Sequence, residues 1–302
     1  MVSGVPQGSV LGPILFTIFI DDIDDNIFSK ILKFADDTKI LSKSKTVQDV
    51  DKLKTDLSRL FKWSNDWQML FNKKKCKVMH IGRNSLLSTY SIDGKDLNVV
   101  SEEKDLGVIV NNDLKVSKQC AMAASKGNQI LGMISRTFDF KDKRIILPMY
   151  KSLVRPHLDY CVQAWRPHLV KDISVLEKVQ RRATRMIREC RGLDYEGRLK
   201  KLRLTTLETR RLRADLLEIF KILKGLEGID SDWFFLRCIG VTRGHSLKLY
   251  KKSFRRDIAK YSFTNRICDE WNQLPEEIIQ ANTVNEFKSV IDPYLAKKRG
   301  LI

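Results

Sequence analysis

Residues 34–37, Phe-Ala-Asp-Asp, lie between two short segments of mixed apolar and lysine residues, at 30–33 and 38–41. The pattern predicts a tight β-hairpin with two acids at its tip, because strand-like segments flank a small residue and two turn-forming aspartates. Clustered carboxylates bind the divalent ions that clamp the attacking and leaving oxygens in two-metal phosphoryl transfer. Asp-Asp pairs are also common in ordinary solvated turns, so the pair alone leaves both interpretations open.

A loop rich in glycine and proline precedes this hairpin. It reads Ser-Gly-Val-Pro-Gln-Gly-Ser-Val-Leu-Gly-Pro over residues 3–13. Its glycines let the backbone approach another molecule closely, and its prolines restrict the path of the chain. The apolar run at residues 14–20 follows directly, and we expect it to open a buried helix.

Taken together, SGVPQGSVLGPILF at residues 3–16 and FADD at 34–37 resemble motifs B and C of the reverse transcriptase palm in non-LTR (LINE-type, jockey-like) retrotransposons. The resemblance continues downstream, where further segments are similar to motif D, to the strand that closes the palm and to the region after the palm. These segments are residues 67–72 with 75–82, residues 104–108, and residues 150–161, 176–184 and 270–275. The chain thus resembles the C-terminal part of such an enzyme over nearly its whole length.

The resemblance implies a polymerase site that uses two Mg²⁺ (or Mn²⁺) ions. Asp36 would be the motif C metal ligand, and Asp37 would supplement it as a second metal-binding and catalytic carboxylate. Nucleotide and template contacts would come from the hairpin and from the motif B loop, at Phe34, Ala35, Gly4, Pro6, Gln7 and Gly8. For the loop, a plain Gly/Pro turn is the alternative.

Lys75 corresponds by resemblance to the motif D lysine that protonates the leaving pyrophosphate. A lysine does this only where its ammonium reaches the phosphate and its pKa suits the step. Here it belongs to the run Lys73-Lys74-Lys75, so a solvated basic turn is an equal alternative.

In this family a first catalytic aspartate lies in motif A, upstream of motif B, and no residue of this sequence takes that role. The acids at residues 21–25 lie between motifs B and C, and we interpret them as a solvated turn. We therefore expect the 302-residue chain to be catalytically inactive alone, with the missing N-terminal half supplied by another exon or chain. The alternatives are a basic nucleic-acid-binding remnant without catalysis, and a barely folded chain with an exposed strand edge.

The charge distribution favours a polyanionic partner. The formal net charge is +18, although residues 1–40 hold six aspartates against three lysines. Residues 171–224 carry 16 Lys/Arg against 8 Asp/Glu. A predicted helix at residues 173–188 would gather five cations into one stripe opposite an apolar face: Lys178, Arg181, Arg182, Arg185 and Arg188. By resemblance this region is the thumb, which would grip an RNA template and DNA primer by their phosphates while deoxynucleoside triphosphates are added. A solvated helix face is the alternative.

We predict an α+β fold with three parts: a partial palm at 1–111, in which helices pack on a single mixed sheet, a helical thumb-like region at 112–225 and a C-terminal region at 226–302. Helical spacing of apolar residues occurs from 46 to 61, where Thr46 is a candidate cap, and at 121–138, 144–154 and 206–224. Thr205 with Glu208 resembles a capping box for the last helix. Strands are predicted at 76–80 and 106–110, with an Asp-Gly hairpin at 90–97.

The cysteines lie far apart, at positions 76, 120, 161, 190, 238 and 268, and show no zinc-binding spacing. We therefore expect free thiols in a reducing compartment. Neither a signal peptide nor a membrane span is expected, because the apolar run near the N-terminus is short and contains Gly-Pro. The sequence thus predicts an intracellular protein, nuclear or cytoplasmic.

Overall fold

The computed structural model of the chain describes residues 8–82, 85–238 and 244–298. The chain divides into two compact units. The first comprises residues up to Glu103 together with Asn111–Leu114, and the second comprises Lys104–Val110 together with the residues from Lys115 onward. Helices and small sheets both occur, which agrees with the α+β class. The bounds predicted at residues 111 and 225, and the palm and thumb assignments, stay predictions.

The first unit combines helices with very short strands. Its elements are α1 Leu11–Phe19, β1 Lys30–Phe34, β2 Asp37–Leu41, α2 Val47–Asp66, β3 Lys77–Val78, β4 Ser91–Ile92, β5 Lys95–Asp96 and β6 Asn98–Val99. The pairs β1–β2 and β4–β5 are antiparallel, and β3–β6 is parallel. The single mixed sheet expected from the sequence is therefore wrong for the described residues. Strands of two residues form too few ladder hydrogen bonds to join into a wider sheet, and they depend on side-chain packing instead.

Helix α2 organises this unit. The predicted cap is confirmed: the Thr46 hydroxyl accepts from the Asp49 N–H at 3.1 Å, and the Asp49 carboxylate accepts from the Thr46 N–H at 3.0 Å. The apolar face of α2 packs on the residues around β4 and β5, in a core of Val50, Leu57, Tyr90, Ile92 and Leu97. The Asp-Gly hairpin is confirmed too, since Asp93 and Gly94 both have the positive φ that a two-residue turn of this kind requires.

A buried carboxylate on α2 fixes the chain just before β1. Asp56 accepts hydrogen bonds from the backbone N–H groups of Phe28 at 3.0 Å and Ser29 at 2.9 Å. The side chain has no exposed surface, and these donors compensate for its burial. The start of the β1–β2 hairpin is therefore held against a long helix.

The apolar run after the glycine-rich loop forms helix α1, as predicted, but the expected burial is wrong. Within the described part of the chain, no residue of α1 is buried, and Ile14, Leu15 and Ile18 are exposed. Its last residue, Phe19, packs edge-on against Trp67, with ring centroids 5.3 Å apart. The described elements thus cover the end of α1 in part and leave the rest of its apolar surface open.

From residue 102 onward the chain is mainly helical. The elements are β7 Glu102–Asp105, β8 Val108–Asn111, α3 Ser117–Thr137, α4 Lys143–Met149, α5 Arg155–Asp159, α6 Val162–Trp165, α7 Val170–Met186, α8 Tyr195–Leu202, α9 Leu207–Leu223, β9 Leu236–Arg237, β10 Leu249–Tyr250, α10 Asp257–Lys260, α11 Phe263–Arg266, α12 Cys268–Asn272, α13 Glu276–Ile279 and α14 Val284–Lys298. The strand predicted at 106–110 begins two residues late, because Leu106 and Gly107 have positive φ and form the β7–β8 turn.

Two hydrophobic cores lie in the second unit. The first is built around α3 and α7 and extends from Val108 to Leu207. The second is built around α9 and α14 and includes Trp271 and Phe287. Helix α9 contributes residues to both cores and thereby connects them.

Several helix ends differ from the predictions. Helix α7 ends at Met186, because Ile187 takes an extended conformation, and Arg188 begins a separate 3₁₀ turn, Arg188–Cys190. The cap of α9 is Thr206, whose hydroxyl accepts from the Thr209 N–H at 3.1 Å, and not the predicted Thr205 with Glu208. The helix predicted at 144–154 begins at Lys143 and continues as a π-helical turn, Tyr150–Val154.

Candidate functional site

The β1–β2 hairpin places both predicted metal ligands at one tip. Its register pairs Lys30 with Leu41 and ends at the pair Phe34 and Asp37, so Ala35 and Asp36 form a two-residue turn. The hairpin predicted from the sequence is therefore confirmed. Ala35 has a φ of 49°, in the left-handed region that a β-branched residue would adopt only with strain.

Asp36 and Asp37 are exposed. Among the described residues, neither carboxylate takes part in a hydrogen bond or an ion pair. Mg²⁺ is usually held by one or two carboxylates together with water and substrate phosphates. The two acids fit that pattern, while the described residues contain no cluster of three or more His, Cys, Asp or Glu that could hold a metal by themselves. The hairpin can thus supply part of a metal site.

Two of the aspartates between α1 and β1 have side-chain partners there. Asp21–Asp24 form a 3₁₀ turn. The Asp24 carboxylate accepts from the Lys33 ammonium at 2.8 Å, and this hydrogen bond lowers the pKa of Asp24. Asp22 accepts from the indole N–H of Trp63 at 2.9 Å. The turn expected here is confirmed, and the carboxylates of Asp22 and Asp24 have structural partners.

The motif B loop is described only at its end. Gly4, Pro6 and Gln7 lie outside the described residues. Gly8 has a φ of 84°, a conformation that favours glycine, and it leads into α1. The assignment of these four loop residues to nucleotide and template contacts stays a prediction, as does the assignment of Phe34 and Ala35.

Lys75 lies in a turn after α2 and is exposed. Its backbone N–H donates to the Asn72 carbonyl at 2.9 Å. Within the described ranges, no hydrogen bond or ion pair joins its side chain to Asp36 or Asp37. Its neighbour Lys73 instead forms an ion pair with Asp93. The proton-donor role of Lys75 stays a prediction.

Helix α7 carries a basic surface, which we define as the exposed side chains of Lys171, Lys178, Arg181, Arg182 and Arg185. These positions are spaced by seven, three, one and three residues, which places them on one helical face. The opposite face is buried through Leu176, Val179 and Ala183.

The cations of this surface differ in their contacts. Arg182 donates to the Asn128 side chain at 3.0 Å, and the Arg181 guanidinium lies 4.3 Å from the centre of the Tyr195 ring. In the part of the chain that the structure describes, Lys178 and Arg185 have no ion pair. These two cations are therefore available to an anionic partner.

Lys171 was missed from the sequence, and Arg188 was wrongly placed on the helix. The helix was predicted to begin at residue 173, whereas it begins at Val170 and thereby brings Lys171 onto the basic face. The signal for this was present, since Lys171 lies seven residues before Lys178. Arg188 is exposed but follows the end of the helix.

A buried polar network holds α7 beneath this surface. Glu177 accepts from the backbone N–H of Leu207, at 3.1 Å to Oε2, and from the Tyr195 hydroxyl. Gln180 accepts from the Tyr150 hydroxyl at 2.7 Å and donates to the Thr205 carbonyl at 3.0 Å. Burial raises the pKa of Glu177. The network joins α7 to the start of α9.

Residues 1–134 match the family model described as "Reverse transcriptase (RNA-dependent DNA polymerase)". Among curated proteins, the chain is 27% identical over 217 residues to the RNA-directed DNA polymerase from mobile element jockey of Drosophila melanogaster, and 30% identical over 220 residues to that of Drosophila funebris. It is 26% identical over 204 residues to the probable RNA-directed DNA polymerase from transposon X-element of Drosophila melanogaster.

These alignments cover 66%, 66% and 63% of this chain but only 24%, 23% and 22% of the relatives. The chain therefore spans about a quarter of the length of the curated relatives it matches. No solved structure matches the chain. No helix within the described residues is both long enough and apolar enough to cross a membrane.

The segment that contains the acid-tipped hairpin therefore matches the reverse transcriptase family. More particularly, about two thirds of the chain is similar to part of the RNA-directed DNA polymerases of the mobile element jockey.

Proposed function

We propose that this chain contributes the motif C acids and the duplex-binding helix of an RNA-directed DNA polymerase. The observation that supports this most directly is the hairpin tip, which presents two unpaired carboxylates within the segment that matches the reverse transcriptase family. The polymerase palm would lie in the first unit and the thumb in the second.

Asp36 and Asp37 would hold the divalent ions, Mg²⁺ or Mn²⁺. When bound, such ions stabilise charge on the attacking and leaving oxygens of nucleotidyl transfer. The hairpin contributes a fixed position for the carboxylates, since the strand register and the Asp56 hydrogen bonds hold its base. A motif A aspartate, which by family resemblance completes the site, has no counterpart in the 302 residues. We therefore expect these residues alone to lack activity.

Primer extension tests this assignment. The 302-residue chain with Mg²⁺, an RNA template and a DNA primer should give no product. A longer polypeptide that also contains the motif A segment of the element should extend the primer. In that polypeptide Asp36→Asn should lower the rate by at least about 100-fold, the loss typical when a group that stabilises developing charge is removed.

The matched control is Asp25→Asn, which removes an exposed acid from the turn before β1. It should leave extension unchanged. Product formed by the 302-residue chain and abolished by Asp36→Asn would contradict the proposed need for a motif A partner. Unchanged extension by Asp36→Asn in the longer polypeptide would exclude Asp36 from the metal site.

The α7 basic surface would bind the phosphates of the template–primer duplex. Lys178 and Arg185 can do this without breaking an existing ion pair in the described structure. Binding through phosphates depends on salt, with log K falling by about 0.9 per phosphate neutralised for each tenfold rise in salt on duplex DNA. Such binding is independent of base sequence, as a polymerase requires.

A salt titration of duplex binding provides the test. Lys178→Gln combined with Arg185→Gln should reduce the slope of log K against log salt by about 2. Lys252→Gln combined with Lys297→Gln removes two exposed charges outside α7 and should change the slope by much less. Equal losses in both double variants would mean that the general charge of +18, and not α7, causes the binding.

A second candidate function is nucleic-acid binding without catalysis. It is favoured by one observation, that the α7 basic surface lies in the second unit and needs no residue of the hairpin tip. Under this alternative the duplex would bind with the same salt dependence while the longer polypeptide would show no Asp36-dependent extension.

A further inference from the structure

A basic segment at residues 251–256 links β10 to α10 in the second unit. It reads Lys-Lys-Ser-Phe-Arg-Arg, and all six of its residues are exposed. Lys251 forms an ion pair with Asp269. The other three cations of the segment have no ion pair among the described residues. The segment therefore presents positive charge that the rest of the described chain does not neutralise, apart from the hairpin tip and from the α7 basic surface.

The backbone of this basic segment is open to a partner. Within the described ranges, no backbone hydrogen bond involves residues 252–255. Residues 251–254 have no regular secondary structure, and Arg256 is extended, with a φ of −134° and a ψ of 145°. An exposed irregular segment can follow the groove of another protein without breaking helix or sheet hydrogen bonds.

Ser253 lies at the centre of the basic segment. Its hydroxyl makes no hydrogen bond in the part of the chain that the structure describes. Two lysines precede it and two arginines follow Phe254, so cations lie on both sides of the hydroxyl along the sequence. An exposed, unpaired hydroxyl flanked by cations suits an enzyme that binds its protein substrate through carboxylates.

Another serine has lysines on both sides but a different setting. Ser44 lies between Lys43 and Lys45. It is half-buried, and its hydroxyl lies 2.6 Å from the Ser85 hydroxyl. Its carbonyl accepts from the Leu86 N–H at 2.7 Å. Neighbouring charge alone therefore does not distinguish the two serines, whereas exposure and a free backbone do.

We propose that Ser253 is a phosphorylation site for a protein kinase that recognises basic residues. Such a kinase holds the cations of the segment with carboxylates, since kinases select substrates in part by charge pattern. The Ser253 Oγ attacks the γ-phosphorus of Mg²⁺-bound ATP. The new oxygen–phosphorus bond forms as the bond to the β,γ-bridging oxygen breaks, and ADP leaves. The hydroxyl proton passes to the catalytic aspartate of the kinase.

This modification changes the charge of the basic segment. A phosphoserine carries about −1.5 to −2 charges at pH 7, which lowers the charge of the four cations to about +2. The phosphate oxygens accept charge-assisted hydrogen bonds from arginine side chains, and Arg255 and Arg256 lie two and three residues away in the sequence. Phosphorylation thus makes the segment a weaker ligand for polyanions.

Incubation of the full chain with purified protein kinase C, ATP and Mg²⁺ tests the proposal. Mass spectrometry of proteolytic peptides should place phosphate on Ser253 and not on Ser44, the matched control for neighbouring charge. Ser253→Ala should remove most of the incorporated phosphate. Casein kinase 2, which selects acidic surroundings, should leave Ser253 unmodified. Absence of phosphate on Ser253 in the folded chain treated with protein kinase C would overturn the proposal.

Lys252→Gln combined with Arg255→Gln gives a second readout. It should raise the KM of protein kinase C for the chain at least about tenfold and leave kcat nearly unchanged, because these charges act in binding. Lys200→Gln combined with Lys297→Gln removes two exposed charges elsewhere in the second unit and should leave KM unchanged. The same KM in both double variants, with thermal melting showing that both are folded, would also overturn the proposal.

Discussion

Asp215 is a carboxylate on α9 with no exposed surface, and two arginines neutralise it. Arg166 donates to it at 3.0 Å, and Arg266 donates at 2.9 and 3.0 Å. Arg266 also donates to the Gln163 carbonyl at 2.8 Å. One buried charge therefore joins three segments that are far apart in sequence.

Asp215→Ala should destabilise the second unit by about 3–5 kcal/mol, because it leaves two arginines in a buried setting without their anion. Urea denaturation measures this loss. Asp292→Ala serves as the control, since that carboxylate is 51% exposed and pairs with Arg213 at the surface. It should cost less than about 1 kcal/mol. Equal costs would mean that the Asp215 cluster is no stronger than a surface pair.

Glu177 gives the stability of the second unit a pH dependence. Burial raises the pKa of this carboxyl above its usual value of 4.5. Between the two pKa values the folded state binds more protons than the unfolded state, so this contribution to the free energy of unfolding falls as pH rises above about 4.5. The Glu177→Gln variant has no carboxyl at this position to titrate. Its free energy of unfolding, relative to that of the original chain, should therefore increase between pH 4.5 and pH 7.

Denaturation at several pH values measures this difference in the free energy of unfolding. Any constant effect of the amide on stability leaves the pH dependence unchanged. Glu196→Gln, at an exposed position on α8, should change stability by less than about 0.5 kcal/mol. A difference between Glu177→Gln and the original chain that stays constant with pH would contradict a raised pKa of Glu177 in the folded state.

Two glycines of α3 illustrate how the elements pack. At Gly127 an added Cβ would lie 3.1 Å from a Val179 methyl on α7 and 3.4 Å from a Leu158 methyl. At Gly132 the nearest atom would be an Arg136 nitrogen at 3.5 Å. The close approach of α3 and α7 therefore depends on the first glycine and not on the second.

The same substitution should have opposite effects at these two sites. Gly127→Ala should destabilise the unit by about 1–3 kcal/mol through overpacking, less the gain in helix propensity. Gly132→Ala should stabilise it by up to about 1 kcal/mol, because it gains helix propensity without a clash. Thermal unfolding compares them, and a stabilising Gly127→Ala would show that α7 can shift away at little cost.

Elements set by local signals were predictable from the sequence. The Thr46 cap, the Asp-Gly turn and the hairpin around Ala35 and Asp36 depend on neighbouring residues, and all three are confirmed. The exposure of α1 was not predictable, because burial depends on what packs against a helix. The end of α7 was missed because Ile187 is apolar and continues the helical spacing, while its backbone is extended.

At the scale of the molecule, each hydrophobic core lies within one of the two units. Both cores of the second unit consist of residues between Val108 and Leu295, and the core of the first unit lies between Val50 and Leu97. A polypeptide of residues 104–302 should therefore fold by itself. Circular dichroism and a cooperative urea transition would demonstrate this, whereas an unfolded product would show that the second unit depends on the first.

Some features of the candidate site were predictable from the sequence, and others were not. Asp36 and Asp37 could be found because adjacent acids between strand-like segments define a hairpin tip. The partner of Asp24 could not, since Lys33 approaches it only in the folded chain. Lys171 was missed because the start of α7 was predicted about one helical turn too late.

The open apolar surface of α1 has a consequence for the behaviour of the chain in solution. At low ionic strength the charge of +18 keeps molecules apart. Salt screens that repulsion beyond about 10 Å at 0.1 M, and leaves the attraction between exposed apolar side chains such as Ile14 and Ile18 in place. Concentrated stocks should therefore turn turbid as salt is added, the reverse of the salting-in shown by most charged proteins.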